Sequence, residues 1–147
     1  MSVDAGVVNE KLQQLVIYLS RNLLQYINES WPWVGEHAES KEVLQQIVSK
    51  QNESIKKLVE LLEARGQIVD FGSYPDYSEY HYIALEYVLE RLVKSLEGIL
   101  EEIQAAKQAC KEDEEAYRII LEIEKSEQEN LSKLKTLLSS YRSSVNA

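Results

Sequence analysis

The feature that most restricts the fold is one long break in helical periodicity, between Gly66 and Tyr82. This stretch reads GQIVDFGSYPDYSEYHY and holds two of the five glycines and one of the two prolines. On each side of it, apolar residues recur at steps of three and four, the spacing of amphipathic helices. The pattern predicts two helical hairpins joined by a connector, and therefore an all-α four-helix bundle forming one domain over residues 1–147.

The positions of the helix breakers and of the apolar residues set the helix limits. Pro32 is costly inside a helix, so the first helix is expected to end near Ser30. Gly66 is typical of the position just after a helix end. The last turn contains neither glycine nor proline, and we infer it because continuing the third apolar stripe would bury Asp113. The predicted helices cover about residues 7–30, 38–65, 77–110 and 114–141.

The length of the connector allows two topologies. A helix of about 28 residues is roughly 42 Å long, and about 12 extended residues cover roughly 40 Å. The connector can therefore run the length of the bundle, as a long crossover that makes the second and third helices parallel. A compact loop is the alternative, and the sequence leaves both open.

Charge and composition exclude several kinds of partner. The net charge of −9 disfavours nucleic acid, which needs a cluster of lysine and arginine, and it disfavours an anionic membrane surface. The one cysteine, Cys110, cannot form a disulfide within the chain and suits a reducing compartment. No apolar run approaches the roughly 18 residues needed to cross a bilayer. A cytoplasmic protein that binds neither nucleic acid nor membrane is the expectation.

Polar residues interrupt three of the four apolar stripes near mid-helix. Two pairs are spaced i, i+3, so both members of each pair face the same way. Because burying an unpaired amide or carboxylate is costly, these groups should satisfy one another or hold something between them. The predicted buried polar layer consists of Asn22, Gln51, Ser54, Glu127 and Asn130.

These positions carry a resemblance to the ferritin-like (rubrerythrin-type) four-helix bundles. In metal-binding members, the second and fourth helices each carry Glu-x-x-His, and the other two each add a glutamate. The corresponding segments here are QNES at 51–54 and EQEN at 127–130, so only Glu127 matches. The first helix offers no acid at mid-stripe, and Glu86 and Glu90 lie beside the third stripe. The resemblance implies a divergent member with the fold but without most di-iron ligands, and hence with no cofactor expected.

Three interpretations of the polar layer remain open. It can fix the register of the helices, it can hold a divergent metal or small-molecule site, or some of its residues can lie at the surface instead. The leading functional hypothesis is a non-enzymatic structural or protein-interaction module without catalytic or cofactor-binding residues. The alternative is a metal-binding or iron-dependent oxidoreductase with an atypical site around Glu127, helped by Glu86 or Glu90.

Aromatic residues near the two helix breaks form a candidate partner surface. Tyrosine and tryptophan combine a large apolar body with a polar tip, which suits protein interfaces. The favoured alternatives are that the tryptophans cap the end of the core and that the tyrosines hold a crossover against the bundle. The predicted surface, for a protein partner or a homodimer, comprises Trp31, Trp33, Phe71, Tyr74 and Tyr77.

Overall fold

The computed structural model describes residues 5–31, 37–82 and 84–146. Over these residues the secondary structure is helical and includes no strand, which confirms the all-α prediction. No helix in these ranges is long and apolar enough to cross a membrane. The elements are α1 (Ala5–Ser20), α2 (Leu23–Ser30), α3 (Ala38–Ala64), a 3-10 turn (Ser78–Tyr82), α4 (Leu85–Ala109) and α5 (Glu114–Asn146).

Over the described residues the bundle has four arms: α1 and α2 together form the first, and α3, α4 and α5 form the second, third and fourth. The first arm is broken into two helices, so the prediction of one continuous helix over 7–30 is wrong. Asn22 has an extended backbone, and its side-chain oxygen accepts a hydrogen bond from the backbone N–H of Gln25, capping the start of α2. Its Nδ2 donates to the carbonyl oxygens of Tyr18 (2.9 Å) and Leu19 (3.0 Å) at the end of α1. One asparagine thus satisfies backbone groups on both sides of the break, which is why the helix can stop and restart there.

The end of α3 follows the expected glycine signal. Gly66 has φ +72°, and its N–H bonds to the carbonyl of Glu63 at 2.9 Å. The N–H of Gln67 bonds to the carbonyl of Leu62, also at 2.9 Å. These two bonds form a Schellman motif, which closes the helix and releases the chain into the connector.

The start of the third arm lies later than predicted. Asp76 accepts hydrogen bonds from the backbone and hydroxyl of Ser78, but the segment it caps is the 3-10 turn, and α4 begins only at Leu85. The turn predicted near 111–113 is present, with Asp113 accepting from the N–H of Ala116 at the start of α5.

Contacts between the arms fix the helix directions. Arg65, at the end of α3, contacts Asn9 near the start of α1, so these two helices are antiparallel. The same arginine pairs with Asp113 just before α5, and Arg142 near the end of α5 pairs with Glu86 at the start of α4. Since α5 is antiparallel to both α3 and α4, those two helices run in the same direction.

The connector, residues 66–82, lies along α1 and α2. The backbone N–H of Asp70 donates to Gln13 Oε1 at 3.0 Å, and Gln13 Nε2 donates back to the carbonyl of the same residue. Further on, the ring of Tyr74 meets the ring of Tyr26 edge-on, with centroids 5.5 Å apart. The connector therefore contacts the first arm in chain order, from the middle of α1 to α2.

Candidate functional site

The polar layer predicted from the sequence lies in the interior of the bundle. Gln51 and Glu127 are fully buried, and the other three residues are at most 7% exposed. A sixth member, Gln25, was not predicted and is equally buried. The layer joins the first arm to α3 and α5 at mid-height, with the members Asn22, Gln25, Gln51, Ser54, Glu127 and Asn130.

Gln51 connects the three arms through both ends of its amide. Its Oε1 accepts hydrogen bonds from Asn22 Nδ2 (3.3 Å) and Gln25 Nε2 (3.1 Å). Its Nε2 donates to Glu127 Oε2 at 3.1 Å. Because an amide can supply both donor and acceptor, one side chain on α3 pairs with α2 on one side and α5 on the other.

Both carboxyl oxygens of Glu127 are occupied by amide donors. Gln51 donates to Oε2, and Asn130, one turn further along α5, donates to Oε1 at 3.2 Å. Burial raises the pKa of Glu127 to about 7, and the two amide hydrogen bonds act in the opposite direction. This carboxyl can therefore exchange a proton near neutral pH inside the bundle.

A neighbouring acid, Glu124, lies one turn before Glu127 on α5 and, unlike Glu127, forms an ion pair. It is 9% exposed, and Lys107 of α4 pairs with it at 3.0 Å. None of the ion pairs found over residues 5–31, 37–82 and 84–146 includes Glu127. Glu124 has a cation to balance its charge, whereas Glu127 depends on amides and on protonation.

The residues around Glu127 do not fit a di-iron centre. Iron prefers carboxylate and imidazole ligands, and the groups that face Glu127 are amide N–H donors, which cannot bind a cation. Glu86 and Glu90 lie at the surface, where both pair with Arg142. Arg142 is 15 residues beyond Glu127, roughly 22 Å along α5. Within the described part of the chain, no three acidic, histidine or cysteine residues are grouped as a metal site.

The predicted partner surface is divided by the structure. Trp31 belongs to the core and is 9% exposed, with Lys41 Nζ 5.7 Å from its ring centroid. Trp33 lies outside the described residues. Tyr74 and Tyr77 are half-buried against Tyr26, and burial raises the pKa of both phenols. These two tyrosines hold the connector against α2. This is the alternative to a role in a partner surface.

Two large apolar side chains in the described part of the connector are exposed to water. Phe71 is 41% exposed, as the predicted partner surface requires. Ile68 is 96% exposed and is not part of the predicted partner surface, which consists of aromatic residues only. An isoleucine in a segment without helical periodicity, between glutamine and valine, is the sequence signal that could have identified it.

Comparison with known proteins identified no relative. No protein-family model matches the chain, and no significant match was found among curated proteins or solved structures.

Proposed function

We propose that this chain is a ferritin-like bundle that has lost its di-iron centre and acts as a non-enzymatic protein-interaction module. Two features support the ferritin-like assignment: α3 and α4 run in the same direction, and the connector between them follows the first arm. A long crossover between the second and third arms is the feature that distinguishes such bundles from simple up-down ones.

The polar layer supports a structural rather than a catalytic role. The amide of Gln51 bonds to Asn22 and Gln25 on one side and to Glu127 on the other, and Asn130 completes the set. Such a network is satisfied at only one axial alignment of the arms, so it selects the helix register. In this function the layer fixes the alignment of the arms, and the connector packs on the first of them through Gln13 and Tyr26.

The observation that carries the proposal is the exposure of Ile68 and Phe71 on an anchored segment. Gln13 holds the backbone of Asp70 between them. Apolar side chains presented by a fixed backbone lose little conformational freedom on binding, which is the property of an interface anchor. Burying them against a partner removes apolar surface from water.

The charge of the connector defines the chemistry of the partner. Asp70, Asp76 and Glu79 lie within residues 66–82, and this range contains no lysine or arginine. The whole chain carries a net charge of −9. A second copy would meet the connector with the same sign of charge, whereas a basic segment is attracted to it. The proposed partner is a protein segment that combines lysine or arginine with large apolar side chains.

Selection of peptides from a random display library, with the full chain as bait, tests this proposal. The expected result is enrichment of peptides rich in basic and large apolar residues. Binding of a selected peptide should weaken at least about tenfold in Ile68→Ser/Phe71→Ser, as expected when interface anchors are removed. The matched control is Leu121→Ser, which removes a 40% exposed leucine from α5 and should leave the affinity unchanged.

Three outcomes would contradict the proposal. One is equal loss of affinity in the control, which would mean that the peptides bind any apolar surface. Another is enrichment of acidic or uncharged peptides. The third is sedimentation of the free chain as a dimer that the double variant dissociates, since the connector face would then be a contact between two copies.

A further inference from the structure

A cleft of about 430 Å³, lined by neither Ile68 nor Phe71, lies between the second half of the connector, the end of α1 and the middle of α4. Its volume falls in the range of small-molecule sites, roughly 300–1,000 Å³. The walls are mostly apolar. Residues that line it include Ile17, Tyr18, Tyr77, Gly98 and Ile99.

Gly98 has no evident structural reason to be glycine. It lies in the interior of α4, where glycine weakens a helix relative to alanine. A methyl group at its Cβ position would have no neighbour within 4 Å, so no close approach of another element demands the small residue. Its effect is to leave space in the cleft that a side chain would take.

The charged groups of the cleft balance each other. Arg21 and Glu102 both line it, one cation and one anion, so the lining has no net charge. Arg21 is already engaged: its Nε donates to the carbonyl of Gly72 at 3.1 Å, and its guanidinium lies 4.9 Å from the ring centroid of Tyr74. An ion of either sign would meet a like charge in this space.

The remaining polar groups are few and neutral. Ser73 and Ser95 supply hydroxyl groups to the lining, and Asn22 supplies an amide that already bonds to α1 and to α3. The rings of Tyr18 and Tyr77 offer aromatic surfaces, which pair with other rings beyond the gain from area alone. Apolar walls with a small number of placed polar groups are typical of sites for organic ligands.

We propose that this cleft binds an uncharged, largely apolar organic molecule that contains an aromatic ring, and that Gly98 provides the room for it. The inference goes beyond the proposed function, because it concerns a different surface and does not depend on the exposed Ile68 and Phe71. Either proposal can fail without affecting the other.

The neutral fluorescent probe N-phenyl-1-naphthylamine tests the cleft directly. Titration of the full chain should show saturable binding. In Gly98→Leu, whose side chain fills the cleft, affinity should fall at least about tenfold. The matched control, Glu97→Leu, adds the same side chain one residue earlier on α4, outside the cleft lining, and should bind the probe within about twofold of the native chain.

Gly98→Ala keeps the test valid if the leucine variant folds poorly. It should raise the melting temperature by a few degrees, because alanine favours the helix and meets no neighbour. It should also weaken probe binding to an intermediate degree. A lower melting temperature would show that the glycine is needed for packing and would overturn the argument for a vacated space.

The remaining outcomes also decide the proposal. Probe binding that is equal in the native chain and in both Gly98 variants would place the probe elsewhere and overturn it. Tighter binding of a charged analogue, such as 1-anilinonaphthalene-8-sulfonate, would show that the ligand class is wrong. Absence of saturable binding by any of these probes to the native chain would remove the site.

Discussion

At the scale of single residues, the buried carboxyl of Glu127 links the stability of the fold to pH. Its pKa of about 7 lies above the ordinary value of 4.5, so the folded chain holds this proton more tightly than the unfolded chain. The protonated group contributes its full stability below about pH 4.5, and this contribution is lost as the pH rises towards 7. The whole effect is about 3 kcal/mol.

Glu127→Gln should remove this dependence, because glutamine stays neutral and has nearly the same shape. We expect the native chain to lose about 2 to 3 kcal/mol of unfolding free energy relative to the variant between pH 5 and pH 8. Urea unfolding followed by circular dichroism at the two pH values measures the difference. The same substitution at Glu129, an exposed residue of α5, is the control and should leave the pH dependence of the native chain in place.

The result also separates a structural glutamate from a metal ligand. A chain whose Glu127 serves only the amide network should keep its fold in Glu127→Gln, at the cost of one hydrogen bond, because the glutamine NH2 meets one of the two amide donors. If both variants lose stability between pH 5 and pH 8 to the same extent as the native chain, Glu127 does not titrate in this range. The account of its burial would then be wrong.

The positions of the polar layer could be found from the sequence because they interrupt regular stripes. Gln51 and Glu127 fall where an apolar residue is due, and the structure places both at the centre of the network. Gln25 could not be found in this way. The break at Asn22 shifts the phase of the helix, so a residue outside the stripe of a continuous helix turns inward in α2.

At the scale of elements, the connector depends on a close approach to α1 at Gly72. This residue has φ +71°, a conformation that L side chains rarely adopt. A Cβ built on it would lie 3.0 Å from Cγ2 of Ile17, so a side chain would meet α1 as well as straining the backbone. The carbonyl of the same residue accepts a hydrogen bond from Arg21.

Gly72→Ala should therefore destabilise the chain and loosen the connector. Gly66→Ala is a closely matched control, since its φ is +72° but its Cβ would have no neighbour within 4 Å. Each substitution should cost about 1 to 2 kcal/mol of backbone strain, with a further loss at Gly72 from the contact with Ile17. Urea unfolding measures the total, and hydrogen exchange of residues 68–76 measures the local effect.

Exchange in this segment should quicken in Gly72→Ala and remain near the native rate in Gly66→Ala. Equal costs in the two variants, with unchanged exchange, would mean that the connector does not need to approach α1 at this point. The close packing against Ile17 would then make no contribution to holding the segment.

The end of a helix was predicted well where a single local signal, such as a glycine stop, decides it. It was predicted poorly where a capping signal and the start of the apolar face lie at different residues. Gly66 stops α3 with a complete Schellman motif. The third helix was expected to start at about residue 77, and Asp76 does cap a helical segment there, but only the short 3-10 turn. A capping signal reports that a turn starts nearby; whether an α-helix then propagates depends on the apolar face available to it, and that face begins at Leu85.

At the scale of the whole molecule, the direction of the third arm is the property that the sequence left open. The connector was long enough for a crossover and equally able to form a compact loop. Two ion pairs set the directions of α3 and α4 relative to α5. Arg65 pairs with Asp113, just before α5, and Arg142 of α5 pairs with Glu86. Such pairs join residues 48 and 56 positions apart, beyond what the periodicity of one helix can indicate.

The separation of the two ends of the connector tests this arrangement in solution. The connector begins just after Arg65, which donates a hydrogen bond to Asn9. Further along the connector, Tyr74 and Tyr77 pack on Tyr26. These two positions are 17 residues apart on the first arm, about 25 Å at helical rise. Spin labels on cysteines at Gln67 and Glu79, in a Cys110→Ala background, should therefore report a distance of about this size by double electron–electron resonance.

A second labelled pair, at Glu115 and Glu129, provides an internal reference, because 14 residues of the continuous helix α5 span about 21 Å. The connector pair should give a distance similar to the reference or somewhat longer. A distance far shorter than the reference would mean that the connector folds back as a compact loop. The third arm would then start at the same end of the bundle as the second arm stops, α3 and α4 would be antiparallel, and the ferritin-like assignment would have to be abandoned.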